Sequence, residues 1–336
     1  MSKVGFGVVM VVALVGCQQF NFVRVRFPSV FSQVSDLPII DAHGHLQGDA
    51  SAEELLRLMD QTGVSRIVLQ ATHGPQKGTD EQALSYARRF PTRFVPFVGF
   101  QNRPPLRHRK NWIDPDPAAL AFLDEVEAKL RAGGFFGLGE IVLRYYGHQE
   151  PSGHCCPEVD RPADSPLMFR IAEIATRFQL PMLIHAEGEP KVVAAMERLL
   201  KSYPATAMIW AHNCGRQSAE AIKRLLSSYP NLFCDLGGMT YTRLFEYGAG
   251  WPRRMPWTFL IENGWAYLFH EMKELFEQFP DRFMVGMDVY FYASYQFFPE
   301  RVFRFRQLLS ELSPATARKL AYENAERLLK LPPTSR

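Results

Sequence analysis

Histidines and carboxylates recur in this sequence at the ends of short apolar stretches. The first stretch ends in His43 and His45, which lie two residues apart on either side of a glycine. Residues with this spacing on a strand point to the same side, so both imidazoles can bind one ion. Later apolar stretches contain or end in an acid or a histidine, at Glu140, His185, His212 and Asp288. Each residue alone is also compatible with a hydrogen-bonded core histidine or a helix-capping acid.

The whole set favours a metal site over those simpler alternatives. Burial of so many ionisable groups after apolar stretches is costly unless a cation pairs them. Several imidazoles combined with carboxylates suit zinc best, and iron or manganese also fit. We therefore expect a divalent metal as cofactor.

An alternation of short apolar runs and amphipathic helical stretches must position these residues. The pattern predicts eight strands, at Pro38–Leu46, Arg66–Ala71, Phe94–Phe100, Phe136–Leu143, Pro181–Ala186, Ala207–His212, Leu232–Leu236 and Arg282–Asp288. It predicts a helix after each strand, at Ala52–Thr62, Thr79–Phe90, Pro117–Ala132, Pro166–Phe178, Pro190–Ser202, Ser218–Ser228, Trp265–Phe279 and Glu300–Leu312. A last helix is predicted over Pro314–Leu331.

Eight successive strand–helix units predict an α/β fold of the (β/α)8 TIM-barrel type with a C-terminal helix. An open doubly wound sheet is the alternative, although no glycine-rich fingerprint follows the first strand to indicate dinucleotide binding. Residues 37–332 are interpreted as one domain. In a barrel the carboxyl ends of the strands meet at one face, where active sites lie, so the site residues are expected to converge.

Composition excludes several classes of protein. The 336 residues are 47% hydrophobic and 22% charged, with a formal net charge of +3. These proportions argue against a disordered chain and a polytopic membrane protein. The small charge and the lack of a basic stripe argue against a nucleic-acid partner. A small molecule is the expected substrate, and the sequence leaves the oligomeric state open.

The N-terminus has the pattern of an export signal. Residues 1–16 contain an early lysine and an apolar run, which is typical of a secretory signal peptide. The run ends in Leu-Val-Gly-Cys, which resembles a bacterial lipobox and implies cleavage before Cys17 and a lipid anchor on its sulfur. Residues 17–36 would then be a tether. A glutamine after the cysteine favours the outer membrane, with the domain facing the periplasm.

Four cysteines remain if Cys17 carries lipid. They are Cys155, Cys156, Cys214 and Cys234. An oxidising compartment permits disulfides between them, but the sequence leaves the pairing open.

Over residues 38–331 the sequence resembles the metal-dependent amidohydrolase superfamily, in particular its amidohydrolase-2 branch. The resemblance is carried by the Asp-Ala-His-Gly-His run at 41–45, by His185, His212 and the Gly-Met-Asp run at 286–288, and by the asparagine–alanine helix at 323–329. It implies that His43, His45, His185 and Asp288 ligate a first metal. It also implies that His212 ligates a second metal or polarises the substrate, and that Glu140 either bridges two ions or hydrogen-bonds a ligand histidine.

These residue types predict hydrolysis by an activated water. A divalent ion lowers the pKa of bound water from 15.7 to about 7. Asp288 would orient that water, take its proton and pass it to the leaving group, while the metal or His212 polarises the scissile bond. We expect a C–N or C–O bond of a small molecule, in an amide, ester or lactone. Arg144 would clamp an anionic substrate group, and a salt bridge on the barrel rim is the alternative.

Two other functions remain open. A metal-dependent decarboxylase of the same superfamily would use the same ligands and would need a cationic group on the substrate carboxylate, for which Arg144 is the candidate. A non-catalytic binding lipoprotein would keep the barrel scaffold without turnover.

Overall fold

A computed structural model describes residues 36–74, 77–149, 155–240, 260, 267–289 and 292–334 of the chain. The predicted signal peptide, its lipidation residue Cys17 and almost all of the tether lie outside these residues. Within the described part, no helix has both the length and the apolar character needed to cross a bilayer.

Eight strands form the central sheet, and each overlaps one of the predicted strands. Numbered in chain order, they are β1 (Ile39–Leu46), β2 (Val64–Ala71), β3 (Phe94–Phe97), β4 (Leu138–Tyr145), β5 (Met182–Ala186), β6 (Met208–Trp210), β7 (Leu232–Asp235) and β8 (Phe283–Met284). Most of their residues are buried, as expected for strands covered by helices on one side and filled by side chains on the other.

The strands follow one another around a barrel in the order of the sequence. Strands β1 to β3 pair in parallel, as do strands β4 to β8. A parallel bridge between Val98 and Leu138 joins β3 to β4. On the other side, the Ala42 amide donates to the Val285 carbonyl at 2.9 Å and joins β1 to the chain after β8. These links complete the circuit and confirm the TIM-barrel prediction.

Short irregular strands lie beside β4. Val159–Asp160 pairs antiparallel with the end of β4, and His148–Gln149 pairs with Cys155–Cys156. The side chains of Cys155 and Cys156 fall outside the description of the structure.

Most helices agree with the sequence pattern, but the seventh begins at His270 within the predicted range 265–279, and the short helix Arg109–Ile113 was not predicted. The α-helices span Ala52–Thr62, Asp80–Arg89, Arg109–Ile113, Pro117–Ala132, Pro166–Phe178, Pro190–Ser202, Ala219–Ser228, His270–Gln278, Phe298–Ser310, Pro314–Arg318 and Asn324–Leu328, and 3-10 turns span Pro104–Leu106, Pro280–Arg282 and Tyr292–Phe297. Side chains of Ser51, Thr79 and Asp116 accept backbone N–H bonds where their helices begin. Proline stands in the first turn of several helices, where its missing N–H costs nothing.

The predicted last helix is interrupted. A π-helical turn over Lys319–Glu323 separates two short α-helices. The Leu320 carbonyl in this turn accepts from the Val285 amide at 3.1 Å. Next to it, the buried Asn324 side chain donates to the Pro280 and Phe283 carbonyls, at 2.7 and 2.9 Å. The wider turn therefore fastens the C-terminal segment under β8, which periodicity alone does not predict.

Strand β8 is shorter than predicted because the backbone amides after it donate hydrogen bonds to Asp41 and His43 of β1. The Met287 amide donates to Asp41 Oδ1 at 2.8 Å, and the Asp288 amide donates to the His43 carbonyl at 2.7 Å. Asp288 has a φ of 51°, and Arg301 Nη1 holds its carbonyl at 2.8 Å. The chain thus leaves the sheet early, and its aspartate is brought across the mouth of the barrel toward β1.

Candidate metal centre

The six predicted ligands converge in the barrel, where each lies on its strand or just after it. His43 Nε2 lies 3.4 Å from Glu140 Oε1, and His45 Nε2 lies 3.2 Å from Asp288 Oδ1. On the other side, His185 Nδ1 is 2.9 Å from Glu140 Oε1. All but Asp288 are almost fully buried, and the side chain of Asp288 remains 11% exposed.

His212 completes the cluster from β6. Its Nε2 is 2.9 Å from His185 Nδ1 and 3.6 Å from Glu140 Oε1. Its Nδ1 lies 2.7 Å from the Gly237 carbonyl, so this nitrogen carries the proton and Nε2 presents its lone pair to the cluster.

Two overlapping groups have the geometry of metal sites. The first contains His43, His45 and Glu140, and the second contains Glu140, His185 and His212. The ligand atoms of each group lie within 4.8 Å of one another. Glu140 belongs to both groups, and a carboxylate has two oxygens with which it can serve two ions.

The His43 imidazole is oriented as a ligand. Its Nδ1 lies 3.1 Å from Asp235 Oδ1, a contact in which the ring nitrogen donates its proton. Its Nε2 is buried and has no hydrogen-bond partner among the described residues, although the carboxylates of Glu140 and Asp288 lie 3.4 and 3.7 Å away. A lone pair that faces two carboxylates is satisfied by a cation between them, so the residues fit a divalent metal.

Electrostatics indicate the same requirement for positive charge. Burial lowers the pKa of His43, but the charges of Asp235, Glu140 and Asp288 outweigh it and raise the pKa well above its usual value. Burial likewise disfavours charge on His185, yet Glu140 and Glu187 raise its pKa to about 9. Without a metal, the nearby carboxylates favour protonated imidazoles, and a bound cation would displace those protons.

His185 is held between two acids. Its Nε2 lies 3.2 Å from Glu187 Oε1, so a proton there leaves Nδ1 as the ligand atom that faces Glu140. Glu187 is fully buried and is also paired with the guanidinium of Arg216. Burial raises the pKa of Glu187, but Arg216 and His185 lower it to about 2, so this carboxylate is ionised.

Asp41 ties β1 to the chain that carries Asp288. Its Oδ1 accepts from the backbone amides of His43 and Met287, at 3.0 and 2.8 Å. Between the two ligand histidines, Gly44 lies against β2, and a Cβ there would come within 2.7 Å of the Val68 carbonyl oxygen. The spacing in the Asp-Ala-His-Gly-His run is therefore needed for packing as well as for the ligands.

The segment after β6 differs from the predicted strand. The strand ends at Trp210, and residues 212–216 form a left-handed turn with φ values from 52° to 73°. Four of these five residues are not glycine, and each costs about 1–2 kcal/mol in this conformation. Such strain persists only where surrounding contacts fix the backbone, and it is common at functional sites.

Several contacts hold this turn in place. Cys214 forms a disulfide with Cys234 of β7, which settles one of the pairings that the sequence left open. The Gly188 amide donates to the Gly215 carbonyl at 3.0 Å, and Gln217 Nε2 donates to the Cys214 carbonyl at 2.6 Å.

Arg144 is buried on the barrel rim. Its Nε contacts Glu189 Oε1 at 2.6 Å, and its Nη1 contacts Glu158 Oε1 at 2.8 Å. The guanidinium also lies 4.6 Å from the ring centroid of Tyr146. The contacts match the rim salt bridge that the sequence offered as the alternative, and a substrate-binding role for Arg144 stays a prediction.

Several residues around the site were not assigned a role from the sequence. Asp235 is the last residue of β7, and an acid at a strand end was a usable signal in the sequence. Gln101 donates to Glu140. Gln70 is fully buried, and neither of its amide atoms has a hydrogen-bond partner within the described ranges. It pairs in register with His45, which places both side chains on the inner face of the barrel.

The site is a group of histidines and carboxylates in a TIM barrel with the geometry to hold a metal, and comparison with known proteins identifies the family. A family model for amidohydrolases matches residues 21–331, and the chain belongs to this family. A comparison with proteins of curated function found no significant match.

Solved structures share the fold at low sequence identity. An uncharacterised TIM-barrel protein from Bordetella bronchiseptica is 16% identical with a TM-score of 0.58, over 88% of this chain and 99% of that one. A dihydroxybenzoic acid decarboxylase from a Polaromonas species, with bound manganese and the inhibitor 2-nitroresorcinol, is 14% identical with a TM-score of 0.53, over 88% and 97%. A probable 2-pyrone-4,6-dicarboxylic acid hydrolase from Acinetobacter baumannii, with bound citric acid, is 13% identical with a TM-score of 0.53, over 88% and 100%.

Proposed function

We propose that the protein is a metal-dependent hydrolase that cleaves a C–N or C–O bond of a small molecule with an activated water. The observation that carries the proposal is the convergence of four histidines in two groups that share Glu140, with the Asp288 carboxylate 3.2 Å from His45 Nε2. Two divalent ions, with zinc as the preferred metal, fit the two groups. When bound, such an ion lowers the pKa of a coordinated water to about 7 and polarises the bond to be cleaved.

Asp288 is the proposed general base. It is the most exposed member of the cluster, so it can be reached from the barrel mouth. Burial raises its pKa, but the charge of His43 and a hydrogen bond with His45 lower it below its usual range. Asp288 is therefore ionised at neutral pH, can accept a proton from the attacking water and can deliver it to the leaving group.

His212 has the properties of a ligand or of a group that polarises the substrate. Burial and the charges of Arg216 and His185 lower its pKa, so the ring is neutral near pH 7. Because Nδ1 donates its proton in a hydrogen bond to the Gly237 carbonyl, Nε2 carries the lone pair and faces Glu140 and His185. A neutral imidazole fixed in this way is the form that ligates metals.

Decarboxylation is the alternative chemistry on the same ligands. It requires a cationic group for the substrate carboxylate. Arg144, the candidate from the sequence, and the buried Arg216 are both paired with protein glutamates. The charges of these two arginines are therefore compensated within the protein, which argues against either of them as the group that binds a substrate carboxylate.

A substrate screen tests the proposal. The zinc-loaded and manganese-loaded protein is incubated with esters, lactones, amides and phosphoesters, and separately with hydroxybenzoates while CO2 release is monitored. We expect hydrolysis in the first panel that is lost in Asp288→Asn. Release of CO2 without hydrolysis would establish the decarboxylase instead, and a metal-replete protein that is inert throughout would favour the binding-protein alternative.

We further propose that the chain is an exported lipoprotein, anchored through Cys17 and facing the periplasm. The signal-like N-terminal sequence supports this location. The buried Cys214–Cys234 disulfide also supports it, because structural disulfides form mainly in exported proteins. Metabolic labelling with a palmitate analogue tests the anchor, and a Cys17→Ala variant must lose the label.

A further inference from the structure

The disulfide joins two segments that each orient a metal ligand. Cys214 lies two residues after His212, within the left-handed turn at 212–216. Cys234 immediately precedes Asp235, whose carboxylate orients the His43 imidazole. Both cysteines are fully buried. The disulfide therefore connects two parts of the metal site. One is the turn that carries His212, a ligand of the second group, and the other is β7, whose Asp235 orients His43 of the first group.

The disulfide is attached to a residue whose backbone conformation is unfavourable. Cys214 has a φ of 53° and a ψ of 51°, a conformation that residues with a Cβ rarely adopt. Its flanking residues, Asn213 and Gly215, have the same sign of φ. If the covalent tie were absent, the turn could relax toward ordinary backbone angles, and the His212 ring would move with it.

We propose that the Cys214–Cys234 disulfide positions the metal centre by holding the turn that carries His212 against β7. The inference rests on the proposed function, because the group that it serves is the metal site. A cross-link that acts only on the unfolded chain would stabilise the protein but leave the metal affinity of the folded state unchanged. The cysteines are thus positioning residues, and the distinguishing readout is metal affinity in folded protein.

Two double variants separate positioning from simple cross-linking. Cys214→Ala/Cys234→Ala and Cys214→Gly/Cys234→Ala both lack the disulfide. Glycine adopts the left-handed conformation at residue 214 freely, whereas alanine does not. We expect the alanine form to bind Zn²⁺ about tenfold to a hundredfold more weakly than the wild type, as for other losses of ligand support. The glycine form should recover at least several-fold of that affinity.

The measurements use the full chain, stripped with chelator and titrated with Zn²⁺ against a competing indicator. Titration with Co²⁺ adds an absorption spectrum that reports the ligand geometry, and we expect it to change in the alanine form and to return toward wild type in the glycine form. The matched control is Leu55→Ala. Leu55 is buried on the helix Ala52–Thr62, which packs against β2, so the substitution lowers stability and the zinc affinity of the folded variant should be unchanged.

If the alanine form does not fold, the wild type provides a second test. A phosphine such as tris(2-carboxyethyl)phosphine supplies two electrons that break the S–S bond. Two thiols form, and the phosphine becomes its oxide with oxygen from water. We expect zinc loss to chelator to be at least tenfold faster after reduction, with a free-thiol assay to confirm the reaction.

The outcomes distinguish this inference from the proposed function. Disulfide-free variants that bind zinc as tightly as the wild type, a glycine form no tighter than the alanine form, or reduced wild type that keeps its zinc would each overturn the positioning role alone. A wild-type chain that takes up no metal would overturn both proposals.

Discussion

Asp235 Oδ1 lies 3.1 Å from His43 Nδ1, and neither side chain is exposed to solvent. The same oxygen accepts a hydrogen bond from the Gly237 backbone amide at 2.6 Å. This bond from the following loop holds the carboxylate in the position from which it orients the imidazole. The contact determines which nitrogen of His43 is protonated and turns Nε2 toward Glu140 and Asp288.

Asp235→Asn should weaken metal binding without removing a ligand. An amide in place of the carboxylate no longer enforces the proton on Nδ1 and lowers the basicity of the ring, so we expect zinc affinity to fall about tenfold to a hundredfold. Competition titration with a zinc indicator measures it. Asp60→Asn is the matched control, because the Asp60 carboxylate is 65% exposed. The zinc affinity of this variant should equal that of the wild type. Unchanged affinity in Asp235→Asn would remove the proposed orienting role.

Asp288→Asn should reduce kcat strongly and leave the protein folded. The amide keeps the shape of the side chain but cannot take a proton, so we expect a loss of about 10²–10⁴-fold on any substrate found in the screen. Steady-state kinetics at saturating metal measure the loss, with circular dichroism to verify folding. Full turnover by the purified variant is incompatible with the assignment of Asp288 as general base.

Asp80 gives the fold an acid-sensitive component away from the metal site. This buried carboxylate contacts Lys129 Nζ at 2.7 Å, Arg103 Nη2 at 2.6 Å and His73 Nε2 at 3.3 Å. Burial raises its pKa, but hydrogen bonds from His73 and Lys129 and the charges of Lys129 and Arg103 lower it from 3.8 to about 2. The lowered pKa contributes about 2 kcal/mol of stability above pH 5, which is lost as the pH falls through 3.8 toward 2.

Urea denaturation at several pH values tests this contribution. The free energy of unfolding of the wild type should exceed that of Asp80→Asn at pH 5, and this difference should shrink by about 1 kcal/mol by pH 3. The exposed Asp60→Asn should differ little from the wild type at either pH, since surface ion pairs contribute little. A difference for Asp80→Asn that stays constant from pH 5 to pH 3 would contradict the lowered pKa.

The fold was largely predictable because its periodicity is local. The apolar runs located all eight strands, and the bounds of four helices agree with the prediction to the residue, as in Pro117–Ala132. Where the prediction failed, long-range contacts decide the backbone. Strand β6 was extended through His212, although a disulfide to β7 and contacts to residue 188 bend that segment into a left-handed turn.

The site was predictable in its ligands and less so in its supporting residues. His43 and His45 are marked by their two-residue spacing, Glu140 by its place within an apolar strand, and His185, His212 and Asp288 by their places at strand ends. Asp235 also ends a strand, but its role depends on a hydrogen bond to His43, which lies 192 residues away in the sequence. Glu187 lies two residues after His185, and its contact with that ring depends on how the chain turns after β5. Arg144 looked available for substrate because the glutamates that pair with it lie 14 and 45 residues further along the chain.

The central claim is tested most directly by the metal content of the purified protein. Full-length protein that has never met a chelator is analysed by inductively coupled plasma mass spectrometry, before and after addition of Zn²⁺ and removal of excess. We predict close to two divalent ions per chain at saturation. The His43→Ala variant should lose the ion of the first group, to which His43 belongs. The Glu140→Gln variant should lose at least one ion, because Glu140 belongs to both groups. A wild-type protein that contains no transition metal and takes none up would contradict the account.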